Sequence, residues 1–266
     1  MKSYKEKNLD DKLTKKLSGK VLITAELLIE DEEIHILQEQ ANNVSIKRLG
    51  YNDHGPVHMR QVAINAMKMM RILKESGLLL SLEDEGVGNC EDSGIAVLLA
   101  SFLHDVGMSV GRDNHEEYSI ILALPIIERI LKKVYPNDLK KQVIVKSTAI
   151  EGIAGHMATK KIHSIEAGII LIADGCDMEQ GRARIPLLLS TSPAVGDIHR
   201  YSASSIQKVS IKKGEKRPIK IQIEMTETVG FFQVEEVLFR KINHSPIKPL
   251  IELYAGLIGD EMKCYL

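Results

Sequence analysis

SFLHDVGMSV, residues 101–110, closes a strongly apolar stretch with a histidine and an aspartate side by side. From Ile95 to Leu103 the chain reads IAVLLASFL, interrupted only by Ser101, and His104 and Asp105 follow at once. An apolar run with no polar face suits a central helix covered by its neighbours. A titratable pair at the end of such an element must be paired, neutralised or bound to a metal, because a lone buried charge is too costly. The remaining residues bear on which of these applies.

The chain has 266 residues, 44% of them hydrophobic. That suffices for a full core in one large domain or a domain with an appendage. There is no Trp and there are four Phe, so packing relies on Ile, Leu, Val and Met. A net charge of −1 and a pI of about 6.8 argue against a general nucleic-acid or membrane-surface binder. Cys90, Cys176 and Cys264 are odd in number and lack paired spacing. They speak against a disulfide framework and for a reducing compartment. The opening MKSYKEKNLDDKLTKKLSGK has no apolar signal-peptide core, and no apolar run reaches the ~18 residues of a membrane span. The expectation is a cytoplasmic protein with neither a nucleic-acid nor a membrane partner.

Residues 1–28 are charged and weakly patterned, and read as a surface arm with at most one short helix. Residues 29–190 read as helical. After His58, the residues Val62, Ala66, Met69, Met70 and Leu73 recur at helical spacing, with Arg60 read as a surface residue of that helix. Asn114 ahead of Glu117 resembles a helix cap and places a helix start near His115, and Pro125 is expected to kink or split that helix. Two further helices are expected over about 137–154 and 164–178. Residues 191–204, in a stretch rich in Ser, Pro and Gly, read as a linker. Beyond it the period becomes two: Val209 and Ile211 alternate with polar residues, and Ile219, Ile221, Ile223 and Met225 alternate strictly. A helix from Phe231 to about Lys241 and a third strand in PLIELYAGLIG complete a small α+β module at 205–266. The fold class expected is mainly α, with a small C-terminal α+β domain.

Of nine histidines, five stand out by position. His54 and His58 lie four apart, on one face if the helix has begun there. His104 sits beside Asp105, His115 at a helix start, and His156 just past an apolar helical stretch. Asp174 follows the apolar run Ile169–Ala173. Singly, each has a bland explanation: a hydrogen-bonded core histidine, or a helix-end cap for Asp174 or Asp177. Together they make a site with nitrogen and oxygen ligands, which suits Zn, Fe, Mn, Ni or Co better than a thiolate-selecting site would.

The order His58, His104–Asp105, Asp174 resembles the HD superfamily of metal-dependent phosphohydrolases. HMRQVA is similar to that family's opening His-x-x-x-Val pattern, LHDVG to its namesake motif, and IADGCDMEQGR to its late aspartate segment. The resemblance spans roughly residues 45–190. It implies an all-helical HD-type domain over 29–190 with His58, His104, Asp105 and Asp174 on a first divalent metal. His115 and His156 fall where many members carry ligands for a second metal, with Asp105 bridging. Mg is admitted beside the metals named above. The sequence departs from several dinuclear subfamilies in having Met157, not a second histidine, after His156. His54, four residues before the first ligand, resembles a leaving-group acid of some family phosphodiesterases. The other reading makes His54 a ligand or a hydrogen-bonding neighbour; Val62 and Ala63 follow His58 in family register. Asp105 and His54 are thus the catalytic candidates. Arg112, Lys160, Lys161, Arg182 and Arg184 are candidate phosphate-binding cations.

The implied activity is hydrolysis of a phosphate ester or phosphoanhydride, in a small phosphorylated substrate such as a nucleotide, by a metal-activated water. Two alternatives use the same residues: a di-iron oxygenase of the HD type, and a metal-binding regulatory protein. The strand edges of the C-terminal module make a homodimer a further expectation.

Overall fold

The structure, a computed structural model, describes residues 2–179 and 198–266. Its centre is α6 (Cys90–Leu103), and the apolar run explains why: every residue from Asp92 to Leu103 is buried. Asn89 caps its start and Asp92 returns the bond to the Asn89 N–H, so the helix begins with both donors satisfied. Around α6 pack α2 (Gly19–Glu30), α4 (Pro56–Glu75), α8 (Leu139–Gly155) and α9 (Ile165–Gly175). The outer helices are α1 (Tyr4–Thr14), α3 (Glu32–Asn43), the short α5 (Ser81–Asp84) and α7 (His115–Val134). α3 runs on as one π-helical turn, Val44–Arg48. Among the described residues no helix is long and apolar enough to cross a membrane.

The N-terminal stretch expected to be an arm folds as two helices. α1 opens with Ser3 and Glu6 capping each other, and it buries Leu9 and Leu13. α2 buries Val21, Ala25, Leu28 and Ile29. Arg60, expected on the surface, is 1% exposed. Its Nε donates to Asp10 Oδ1 at 2.6 Å, and its Nη1 donates to Gln38 Oε1 and to the Pro56 carbonyl. These are one correction: α1 covers the face of α4 that the sequence reading left open to water. Pro125 does not split α7, which is continuous through it. The proline lies on the exposed face next to exposed Ile121, so the carbonyl that loses its donor faces water. α7 starts at His115 as expected, but Asn114 is left-handed (φ 54°) and makes no side-chain cap bond.

Of the expected linker, residues 198–204 belong to helix α10 (Ile198–Ser205), and 191–197 lie outside the described residues. The C-terminal sheet has the order β1 (Ile206–Lys213), β2 (Ile219–Met225), β3 (Ile251–Leu257), β4 (Lys263–Cys264). β2 runs antiparallel to β1 and parallel to β3, and β4 runs antiparallel to β3. In β2 the alternation seen in the sequence is exact in burial: Ile219, Ile221, Ile223 and Met225 are fully covered. The β2–β3 crossover is helical, a π-helical segment Gln233–Phe239 leading into α11 (Arg240–His244), where the sequence suggested one plain helix. One hydrophobic cluster continues from Ile95 of α6 to Ile221 of β2, so the helical part and the sheet share a core.

Candidate metal centre

Helix ends bring the ligand atoms together. Pro56 opens α4 at its first position, which puts His58 in the first turn. His104 caps the C-terminal end of α6, and Asp105 is the next residue. His115 is the first residue of α7, His156 caps the end of α8, and Asp174 lies in the last turn of α9. Gly107 fixes two of these relative to each other. A Cβ there would come within 2.0 Å of the His115 carbonyl oxygen and 2.5 Å of the Ser119 nitrogen. Only a glycine lets the short turn after Asp105 pack this closely on the first turn of α7. The Gly107 N–H then donates to Ser119 Oγ at 2.8 Å.

All six side chains are buried, with Asp174 the most accessible at 6%. Asp105 faces both ways. Its Oδ2 lies 3.3 Å from the Nε2 atoms of both His58 and His104. Its Oδ1 lies 3.2 Å from the Nε2 atoms of both His115 and His156. Asp174 Oδ1 adds to the first group, 3.2 Å from His58 Nε2. Two clusters result: His58, His104, Asp105 and Asp174 form one, and Asp105, His115 and His156 the other.

The ring tautomers follow from what each Nδ1 touches. His104 Nδ1 meets the Ser101 carbonyl at 3.0 Å, His115 Nδ1 the Arg112 carbonyl at 2.9 Å, and His156 Nδ1 the Ile153 carbonyl at 2.7 Å. His58 Nδ1 meets Asp177 Oδ2 at 2.6 Å. A carbonyl or carboxylate oxygen only accepts, so in the neutral form of each ring Nδ1 carries the proton and Nε2 presents a lone pair. Those lone pairs converge: His58 and His104 Nε2 are 3.3 Å apart, His115 and His156 Nε2 3.0 Å. Facing lone pairs repel unless a cation lies between them. Bonds of ~2.1 Å meeting near right angles would set neighbouring ligand atoms ~3.0 Å apart, so the donor set fits divalent metal.

Electrostatics agree. Burial acts to raise the Asp105 carboxyl, but His104, His115 and His156 outweigh it and hold the group well below the usual carboxylate range. Burial likewise opposes ionisation of Asp174, and the Lys241 ammonium, with His58, overrides it. Burial pushes the His156 imidazole down to about 4, so it stands neutral with its lone pair available. Lys241, from α11, donates to Asp174 Oδ2 and, at 2.8 Å, to the His156 carbonyl. It thereby ties the two clusters to the C-terminal part.

A cavity of about 520 Å³ opens onto Asp105 and Asp174. Its wall includes Tyr51, His54, Arg112, Met157 and Lys241. His54 precedes α4 rather than sharing its face with His58, yet the two rings stack edge-on with centroids 5.8 Å apart. His54 Nδ1 meets the Asn52 carbonyl at 2.7 Å, which leaves Nε2 as the basic ring atom. Arg112 reaches the same cavity and lies 5.9 Å from the Tyr51 ring centre. Lys160 and Lys161 are exposed and do not line it; Lys160 pairs with Glu117 at 3.1 Å. Arg182 and Arg184 lie outside the described residues. Two functional residues escaped the sequence reading. Asp177 fits a helix-end cap equally well in sequence, and only its 119-residue separation from His58, closed by folding, shows its use. Lys241 carries no local signal that points to Asp174.

Residues 57–179 match the HD domain family model. The uncharacterized protein MJ1020 of Methanocaldococcus jannaschii is 41% identical over 228 residues, 86% of this chain and 86% of its own length. No solved structure gives a significant match. The chain belongs to the HD superfamily, whose members are in general metal-dependent phosphohydrolases.

Proposed function

We propose that this protein hydrolyses a phosphate ester or phosphoanhydride bond in a nucleotide, using two divalent ions. The observation that carries the reading is Asp105, with one carboxylate oxygen turned to each pair of imidazole Nε2 atoms. His58, His104, Asp105 and Asp174 would hold one ion, and Asp105, His115 and His156 the other. Such ions, when bound, make water acidic enough to attack at neutral pH and draw off charge on phosphoryl oxygens.

The chain's own residues do the rest. Arg112 pairs with the phosphate from the cavity wall as a fixed guanidinium. His54, as the imidazolium, carries on Nε2 the proton that passes to the departing oxygen as its bond to phosphorus breaks; the Asn52 carbonyl holds the Nδ1 proton and so makes Nε2 the atom that exchanges. Lys241 holds Asp174 ionised and in place. The cavity volume falls within the ~300–1,000 Å³ of small-ligand sites, with Tyr51 offering a ring to a base.

The test is phosphate release from a panel of nucleotides with Mn, Co, Ni or Fe under anaerobic conditions, with metal content measured alongside. Asp105→Ala should lose metal and activity together. His54→Ala should keep its metal and lose turnover by ~10²–10⁴-fold. Loss of metal in His54→Ala would overturn its role as an acid. Iron-dependent oxygen uptake without phosphate release would replace hydrolysis by the oxygenase chemistry.

A further inference from the structure

A second cavity, of about 540 Å³, lies between α1, α4 and β1 and, among the described residues, shares no lining residue with the first. Its rim is basic: Lys12 and Lys16 beside α1 face Lys68, Arg71 and Lys74 on α4. Its floor is apolar, with Leu17, Ile64, Val209 and Ile211. Its two carboxylates are already engaged: Glu91 Oε1 accepts from the Lys20 N–H at 2.8 Å, and Glu179 Oε1 from the Val209 N–H at 2.9 Å. Arg71 has Glu75 at 3.9 Å, whereas Lys12, Lys16 and Lys68 have no carboxylate partner among the described residues. Like charges gathered over a low-dielectric floor repel one another and concentrate field on an anion. Burial lowers the Lys68 ammonium, and Lys16, Arg71 and Lys12 lower it further. Such a cluster is relieved by a bound polyanion more than by water.

We propose that this cavity binds an organic phosphate, its phosphate groups among Lys12, Lys16 and Lys68 and its uncharged part on the floor of Leu17, Ile64, Val209 and Ile211. A free inorganic anion would leave that floor wet. A purely apolar ligand would leave the lysines unpaired. The combination selects a molecule with both parts, and the uncharged part is either a nucleoside or an alkyl chain.

The experiment is calorimetric titration of the full chain in EDTA, so that neither metal cluster contributes and the reading of the metal centre is not at stake. The probes are ATP, octyl phosphate and, as charge alone, inorganic tripolyphosphate. ATP or octyl phosphate should bind saturably and more tightly than tripolyphosphate, and whichever binds better identifies the uncharged part. The double variant Lys16→Glu/Lys68→Glu should weaken that binding by more than about tenfold. Both side chains reach solvent and the change relieves repulsion, so the variant should fold, which its melting curve verifies. Arg112→Ala, at the other cavity, separates the two sites and should keep the component of binding that the lysine pair removes. The inference is overturned if tripolyphosphate binds as well as the organic probes, if Arg112→Ala rather than the lysine pair loses binding, or if no probe saturates.

Discussion

Replacing Asp177 by Ala removes the acceptor that orients His58, and two separate costs can be worked from the structure. The His58 ring is fully buried and gives its Nδ1–H to Asp177 Oδ2 at 2.6 Å. In metal-free protein that donor loses its carboxylate, at a cost of ~1–3 kcal/mol. At roughly 2–4 °C per kcal/mol for a chain of this class, the melting temperature should fall by several degrees. In metal-binding protein the loss is of orientation and basicity at Nε2. Removing such an outer partner typically weakens metal binding ~10–100-fold, or ~1.4–2.7 kcal/mol. The weakening should fall on one ion only, because Asp177 supports the cluster of His58, His104, Asp105 and Asp174, whereas backbone carbonyls support His115 and His156. Chelator-competition titration should therefore show one binding step moved and one kept, with Asp177→Asn intermediate because it retains an acceptor without the charge. The step that also disappears in His115→Ala should be the unmoved one. An unchanged first step in Asp177→Ala, or equal weakening of both, would refute the division of the site into two clusters sharing Asp105.

Asp10→Ala leaves the buried Arg60 guanidinium without its carboxylate; breaking such a pair costs ~3–5 kcal/mol, and urea unfolding should show a lowered midpoint while Asp10→Ala/Arg60→Met recovers part of the loss. Gly107→Ala forces a methyl group into the His115 carbonyl and the Ser119 nitrogen, so the start of α7 must move. That variant should lose the ion held by His115 and His156 before the other, measured by metal content. Chelation of metal from the wild-type protein should lower its melting temperature, since a ligand present at 1,000 times its dissociation constant stabilises by ~4 kcal/mol; a melting curve indifferent to chelator and to added Mn or Co would count against any metal at the paired Nε2 atoms.

The clustered histidines and aspartates were legible because the chain marks them twice, by type and by place: each follows or opens an apolar helical stretch, where a polar side chain has little reason to be. The strands were legible because β2 alternates without a fault. What escaped was burial of charge. Helical periodicity assigns Arg60 a position on α4 but says nothing of what lies over it, and α1, being short and charged, does not advertise a buried face. The Ser3-x-x-Glu6 spacing was the readable sign that a helix starts there. Asp177 and Lys241 escaped for a different reason. Their use depends on closures of 119 and 67 residues, to His58 and Asp174, which no local pattern encodes. Pro125 shows the converse: a strong local rule yields where the ring and the orphaned carbonyl can both face water.

Lys241 also sets an order of events during synthesis. The six histidine and aspartate side chains have all left the ribosome once residue 174 has emerged, yet the ammonium that steadies Asp174 is still to be translated. A nascent chain at that stage holds all six of these side chains while Asp174 is not yet braced, and the apolar surface of α9 that later meets the crossover helices is still open. Only when the β2–β3 crossover has docked do the two clusters acquire their shared brace. On the proposed two-metal reading, an ion held before that moment would sit beside an Asp174 that Lys241 does not yet brace.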